Sequence, residues 1–200
     1  MSEDSLSLRE RRAQLTRDEI LQAARRLFAE RGYARTSVRD IARAAGVSAQ
    51  TVYDSVGSKQ ALVARLNDLI DTEAGIAAIA RAAAESADPR EVAATQARVA
   101  RSILEHCGDI VHALVTGAAA EPELAAVLEE GQRRHLEGAR MVVGLLQRHE
   151  ALRPEVDDPV ETLAALADVR VALVLREGYG WSLDRIESWI ADASRALLLR

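Results

Sequence analysis

Apolar residues that recur at helical spacing, between residues that begin and end helices, constrain this chain more than any other feature. Ile20, Ala24, Leu27 and Phe28 recur at i, i+4, i+7 and i+8, which places them on one face of an amphipathic helix. No stretch alternates apolar and polar residues as a half-buried strand does, and the 200 residues include only 4 prolines and 11 glycines. The sequence therefore predicts an all-α protein.

About nine helices are predicted from the residues that favour helix ends. The first begins at Thr16, where Thr16 to Glu19 has the capping-box pattern, and it ends before Gly32. Asp88-Pro89 and Asp158-Pro159 mark two later starts, because Pro favours the first helical position. The predicted helices are 16–31, 37–45, 48–54, 58 to beyond 80, 89–107, 108–118, 121–148, 159–177 and 182 to the C-terminus.

Several classes of protein are excluded by what the sequence lacks. The longest stretch without a polar side chain, Ala74 to Ala80, has seven residues, whereas a membrane span needs about 20. Residues 1–12 are polar, with no apolar core of a signal peptide, so a cytoplasmic location is expected. One cysteine cannot form an internal disulfide. No phosphate-binding loop or zinc-protease motif is present, so neither an enzyme nor a cofactor or metal site is predicted.

Charge is distributed unevenly along the chain. Residues 1–65 hold 12 basic and 8 acidic residues, a net of +4, while residues 66–200 hold 14 and 23, a net of −9. A basic segment on an acidic body suggests a polyanion partner for the first segment, since DNA phosphates attract Arg and Lys. The alternative is a solvated, arginine-rich surface.

The segment 37–56 has the pattern of a helix-turn-helix. Gly46 supplies the left-handed conformation that the tight turn between the two short helices needs. With Val52 turned inward, the second helix presents a face rich in contact residues, namely Ala49, Gln50, Thr51 and Tyr53. Gln can bond an adenine edge and Ala can touch a thymine methyl, whereas hydroxyl groups donate to phosphates. Such helix pairs also occur in bundles that bind no DNA.

The stretch Leu15 to Ile70 resembles the DNA-binding domain of the tetracycline-repressor-like (TetR) family of bacterial transcriptional regulators. The resemblance lies in Gly32-Tyr33, Ala45 to Ser48, Thr51 to Tyr53 and Ser58-Lys59, with the spacing between them. It implies a DNA-binding domain over 14–74 and a helical effector-binding and dimerisation domain over 75–200. It also implies a homodimeric repressor that a small-molecule effector releases from a palindromic double-stranded DNA operator.

Individual DNA contacts follow from the same resemblance. It implies that Ala49, Gln50 and Tyr53 approach bases. The residues that it implies at phosphates are Ser37, Ser48, Thr51, Tyr53 and Lys59, the last being the only lysine of the chain. The chain departs from the family pattern at Ser55 and Val56, where many members have His or Tyr followed by Phe, and Asp54 adds a carboxylate that opposes phosphate binding.

Dimerisation is also suggested by the apolar segment Leu163 to Leu175, in which only Asp168 and Arg170 are polar. A helix that is apolar nearly all round must be covered on both sides. A two-fold four-helix bundle with the C-terminal helix would cover it. The expected interface residues are Leu166, Val174, Ile186, Trp189, Ile190 and Ala193.

The helices predicted over 89–148 are rich in Ala and Val, which suggests a cavity between them. Its expected polar residues are His106, Thr116, His135 and Arg140. Alternatively, the small residues simply let the helices pack closely. The histidines at 106 and 112 are six residues apart and do not share a helix face, so no metal site is expected there. The alternative to a DNA-binding regulator is a helical small-molecule-binding protein or enzyme that keeps the fold without operator binding.

Overall fold

A computed structural model describes residues 7–200, so half of the polar segment 1–12 lies outside the described residues. The described part contains eleven α-helices and one π-helical turn, and it has no strand. The helices are α1 (Leu8–Arg31), α2 (Val38–Ala44), α3 (Ala49–Ser55), α4 (Lys59–Glu73), α5 (Ile76–Glu85), α6 (Pro89–Ala93), α7 (Thr95–Gly117), α8 (Pro122–Arg148), α9 (Pro159–Leu166), α10 (Val169–Leu173) and α11 (Leu183–Leu198), with the π-helical turn at Val174–Gly178. The all-α prediction is confirmed. Within residues 7–200, none of the helices is long and apolar enough to cross a membrane.

The first helix begins earlier than the sequence predicted. Ser7 accepts a hydrogen bond from the backbone of Glu10, whose side chain accepts one from the Ser7 backbone, so this capping box begins α1. The predicted start at Thr16 is wrong, because Thr16 lies inside the helix and its hydroxyl donates to the carbonyl of Arg12 at 3.0 Å. Threonine is tolerated inside a helix when its hydroxyl bonds one turn back.

Three predicted helices are interrupted: 58 to beyond 80, 159–177, and 89–107, which breaks at Ala94. Since the second part of the last one joins the predicted helix 108–118 in α7, two additional helices result. Gly75 adopts a left-handed conformation with φ 61°, so α4 ends at Glu73 and does not continue beyond residue 80. Asp168 accepts a hydrogen bond from the backbone of Arg170 and begins α10, which breaks the predicted helix 159–177. The predicted boundary at Cys107 is a kink inside α7, where Cys107 has φ −132° and ψ 19°. Helix α8 and the Ser182 cap of α11 agree with prediction.

Helix α7 lies at the centre of the fold and packs against α1, α4, α8 and α11. Its buried apolar side chains, among them Ala100, Leu104 and Ile110, belong to one core that continues into the N-terminal helices. A second, smaller core joins the C-terminal half of α8 to α6, α9 and the end of α11. Helices α1 to α4 are therefore attached to the rest of the chain through α7 and α8.

Candidate nucleic-acid interface and ligand cavity

Helices α2 and α3 form the predicted helix-turn-helix. Gly46 has φ 69°, and the backbone N–H of Val47 donates to the carbonyl of Ala42 at 3.0 Å, which closes the turn. Ser48 caps α3 by accepting a hydrogen bond from the backbone of Thr51 at 3.0 Å. Ala42 and Val52 are buried against α1. The inner faces of both helices are thus fixed, and their outer faces stay on the surface.

The outer face of α3 presents Gln50, Tyr53 and Asp54 to solvent, with Tyr53 52% exposed. Ala49 and Thr51 are half-buried beside them. Gln50 Nε2 donates to Asp54 Oδ1 at 2.8 Å, so this contact orients the amide. The amide carbonyl and its second N–H have no role in that contact, and they match the donor and acceptor on the major-groove edge of adenine.

The serine and threonine hydroxyl groups at this face are already hydrogen-bonded within the protein. Ser48 Oγ lies 2.8 Å from Thr51 Oγ1. Ser37 caps α2, and its hydroxyl donates to the Asp40 carboxylate. These hydrogen bonds from Ser37 lower the pKa of Asp40. Ser37 and Ser48 therefore position the starts of α2 and α3, and both remain exposed.

Lys59 lies at the start of α4, where it is half-buried and its Nζ is 3.8 Å from the centre of the Tyr33 ring. The Tyr33 ring in turn lies 5.4 Å from the ring of Phe28. Burial lowers the pKa of the Lys59 ammonium, although the carboxylates of Glu121 and Glu123 act in the opposite direction. The aromatic ring thus holds the cation at the base of α4.

Three arginines near α2 were not singled out from the sequence. Arg35, Arg39 and Arg43 are all exposed, and the Arg43 side chain is 82% exposed. The net positive charge of residues 1–65 is the signal that would have pointed to them, since exposed arginines add to the attraction for phosphates. They extend the basic surface beyond α3.

A cavity of about 180 Å³ lies between α4, α5, α7, α8 and the junction of α9 with α10. Of the four predicted polar residues only His135 lines it, where its Nε2 donates to the carbonyl of Ala164 at 2.9 Å. His106, Thr116 and Arg140 are exposed and do not line this cavity, so their prediction as its polar residues is wrong. His106 lies instead at a separate, open pocket between α1, α7 and the π-helical turn. His106 and Thr116 bond instead to backbone carbonyls of their own helix, at 2.9 and 2.7 Å.

The polar groups that do line the cavity come from helices on both sides of it. Asn67 on α4 and Gln96 on α7 are buried amides. The charged side chains at the cavity are paired: Arg134 with Asp71 at 3.0 Å, and Arg170 with Asp168 at 2.5 Å. The remaining lining is mainly apolar and includes Ile70, Ile103, Val111, Leu114, Leu128 and Met141.

The predicted dimer residues divide into two groups. Val174 and Trp189 are 57% and 38% exposed, while Leu166 and Ala193 are half-buried. Ile186 and Ile190 are fully buried in the chain's own core, so their prediction as residues left for a partner is wrong. Two apolar side chains that the sequence did not single out, Tyr179 and Leu197, are exposed in the same C-terminal region, at 69% and 45%.

Comparison with known proteins agrees with the resemblance found in the sequence. Residues 20–66 match the family model described as "Bacterial regulatory proteins, tetR family". The HTH-type transcriptional regulator AlkX of Mycobacterium tuberculosis is 46% identical over 48 residues, which are 24% of this chain and 23% of AlkX. The HTH-type transcriptional repressor KstR2 of Mycolicibacterium smegmatis is 45% identical over 56 residues, 28% of this chain and 27% of KstR2. The chain thus spans about a quarter of the length of these relatives.

Solved structures extend the fold similarity to nearly the whole chain. SmeT, the repressor of a multidrug efflux pump of Stenotrophomonas maltophilia, has been solved in complex with triclosan. That structure matches with a TM-score of 0.75 at 21% identity, over 94% of this chain and 93% of SmeT. The predicted resemblance to TetR-family regulators is therefore confirmed over residues 20–66, and the solved structure shows the same fold over most of the chain.

Proposed function

We propose that this protein is a sequence-specific DNA-binding transcriptional regulator that acts as a repressor in the bacterial cytoplasm. The observation that carries the proposal is the outer face of α3, where the oriented amide of Gln50 lies beside the exposed ring of Tyr53. The match of residues 20–66 to the tetR family model supports it. In this proposal residues 14–74 bind DNA, and residues 75–200 bind an effector and a second copy of the chain.

A homodimer follows from the need to cover exposed apolar side chains. Val174, Tyr179, Trp189 and Leu197 all lie in the C-terminal region of the chain. A two-fold contact through this surface would give a dimer with two α3 helices, and such a dimer binds a pseudo-palindromic operator. Leu166 and Ala193 are then expected at the edge of the interface.

An effector would occupy the cavity between α4, α7 and α8. Apolar cavities with a few polar groups are the usual ligand sites between helices. The complex of SmeT with triclosan supports a small-molecule ligand for this fold. A ligand changes operator affinity only if it binds the DNA-competent and DNA-incompetent arrangements of the dimer with different affinities.

The experiment is a binding selection from random duplexes, followed by titration of the selected site and of the DNA upstream of the protein's own gene. Gln50→Ala should cost about 1–3 kcal/mol and relax the preference at one position of each half-site. Lys59→Ala should weaken the binding of duplexes of every sequence by the same factor. It should also reduce the slope of log affinity against log salt concentration by about one unit. Gln147→Ala, at an exposed position near the end of α8, is the matched control and should change neither the base preference nor the affinity and its salt dependence.

The selection also separates this proposal from a ligand-binding protein that keeps the fold. If no selected duplex is bound more tightly than random DNA, and Gln50→Ala has no effect on binding, the proposal of a sequence-specific DNA-binding regulator is contradicted. If Lys59→Ala altered which sequence is preferred, its assignment to a phosphate would be wrong, because a phosphate contact carries no direct sequence information.

A further inference from the structure

We propose that the cavity takes an uncharged ligand with an apolar body and one hydrogen-bonding group, and that the amides of Asn67 and Gln96 hold this group. The inference rests on the proposed function, since it names the chemical class of the effector. Asn67 lies on α4, which begins beside the α3 face, and Gln96 lies on α7. A ligand bound to both amides would connect the two helices.

Both amide side chains are largely buried, and the space that they face is the cavity. Asn67 is 6% exposed and Gln96 is 3% exposed, and both line the cavity. Among residues 7–200, neither amide has a side-chain hydrogen bond, and unlike the fully enclosed, unpaired hydroxyl of Ser194 their polar atoms remain accessible from the cavity. Buried polar side chains are nearly always paired with protein, water or ligand, because an unpaired one loses its hydration without compensation. The cavity is the direction from which a partner can come.

Helix α8 lies against both amides and provides space for that of Gln96. A Cβ atom at Gly138 would lie 2.8 Å from Gln96 Nε2, and one at Gly131 would lie 3.5 Å from Asn67 Oδ1. The two glycines are seven residues apart and therefore occupy the same face of α8. Glycine inside a helix lowers its stability relative to alanine. Gly138 thus leaves the room that the Gln96 amide occupies, whereas a side chain at Gly131 would be in ordinary contact with Asn67.

The charges at the cavity argue that the ligand is neutral. Arg134 is bound by Asp68, Asp71 and Glu130, at 2.7, 3.0 and 2.9 Å. Arg170 is bound by Asp168. A ligand carboxylate or ammonium would have to displace one of these partners or enter an apolar cavity without one, and burial of an unpaired charge is strongly unfavourable. Amides supply both donors and acceptors for a hydroxyl, carbonyl or amide group.

The test uses probes of one chain length with different head groups. The neutral probes are 1-octanol, 2-octanone and octanamide, and the charged probes are octanoate and octylammonium. Each is titrated into the full-length protein by calorimetry without DNA. We expect at least one neutral probe to bind at least tenfold more tightly than both charged probes. Asn67→Leu and Gln96→Met keep the approximate shape of each side chain, and each should lower the affinity for that neutral probe at least fivefold.

Thermal melting of the unliganded variants distinguishes a ligand contact from a structural role. If the amides serve the ligand, Asn67→Leu and Gln96→Met should leave the melting temperature unchanged or raise it, because each removes an unpaired buried polar group. A structural role would lower it. Gln147→Met, at an exposed position of α8, is the matched control and should alter neither melting nor binding.

Three results would overturn the proposal. They are charged probes that bind as tightly as neutral ones, amide variants that keep full affinity for the neutral probe, and the failure of all three neutral probes to bind. Full affinity in the variants would mean that water alone hydrates the amides. None of these results bears on operator binding, which the duplex selection measures separately, so failure of this inference is distinguishable from failure of the proposed function.

Discussion

Arg25 is the position where loss of one side chain should most weaken the attachment of α1 to the rest of the protein. Its guanidinium donates to both oxygens of Asp109, at 2.6 and 2.7 Å, and to Glu73 Oε2 at 2.6 Å. It also donates to the carbonyl of His106 at 2.6 Å. The side chain of Arg25 is only 17% exposed. One residue of α1 thus binds the end of α4 and the middle of α7.

Arg25→Met should reduce the free energy of unfolding by about 2–3 kcal/mol. Removal of one partner from a buried ion pair costs about 3–5 kcal/mol. The Asp109 and Glu73 side chains are 36% and 29% exposed, so water can rehydrate them partly and the loss should fall below that range. Arg134 is a matched comparison, because it also joins α4 to the body. Its partners Asp68 and Asp71 are 63% and 50% exposed, so Arg134→Met should cost about 1 kcal/mol or less.

Urea unfolding followed by circular dichroism measures both variants at one protomer concentration, which must be held fixed if the protein dimerises. The loss for Arg25→Met corresponds to a fall in melting temperature of roughly 4–12 °C for a chain of this size. Equal losses in the two variants would refute the reasoning, since they would show that exposure of the carboxylates does not decide the cost. A loss below about 0.5 kcal/mol for Arg25→Met would refute it as well.

Two further predictions concern pH and the dimer. Burial would raise the pKa of Asp109, but the hydrogen bonds from Arg25 outweigh it and hold that pKa below its ordinary value. The stability that Asp109 contributes should therefore be present above about pH 3.9 and be lost as the pH falls through its folded-state pKa, which is lower. The difference in unfolding free energy between wild type and Arg25→Met should accordingly narrow as the pH falls below about 4. Val174→Asp should give a folded monomer by sedimentation velocity at micromolar concentration, because Val174 is 57% exposed in one chain, whereas Leu8→Asp, at a position 72% exposed in α1, should leave the association unchanged. A Val174→Asp protein that remains dimeric would show that the interface lies elsewhere.

The helix-turn-helix was predictable because its signals are local. Ser48, Gly46 and Val52 determine the cap, the turn and the inner face within a few residues of each other, and the structure places them as expected. The start of α1 was not predictable in the same way, since Ser7 and Thr16 both begin a capping-box pattern. Which of two such patterns begins a helix depends on whether the intervening residues can stay helical, and Arg9 to Leu15 can.

The dimer and cavity residues depend on tertiary packing, which periodicity does not specify. An apolar stripe shows that Ile186 and Ile190 must be covered, but it does not show whether α7 or a second chain covers them. The polar cavity residues predicted from the sequence were two histidines, a threonine and an arginine, whereas the structure places the amides of Asn67 and Gln96 at the cavity. One signal was available: Asn67, the only asparagine of the chain, lies next to Leu66 in the apolar stripe of α4.

Helix α4 connects the interface and the cavity, and its contacts differ in strength along its length. Lys59 begins it beside Tyr33, Asn67 faces the cavity at its middle, and Glu73 ends it in the ion pair with Arg25. Between the last two, Arg134 holds the helix only through exposed carboxylates. The Arg25 contact is the stronger, so displacement of α4 should break the Arg134 pairs first and turn the helix about its Glu73 end. The largest movement would then occur at Lys59, which is the end that the proposed function places against DNA.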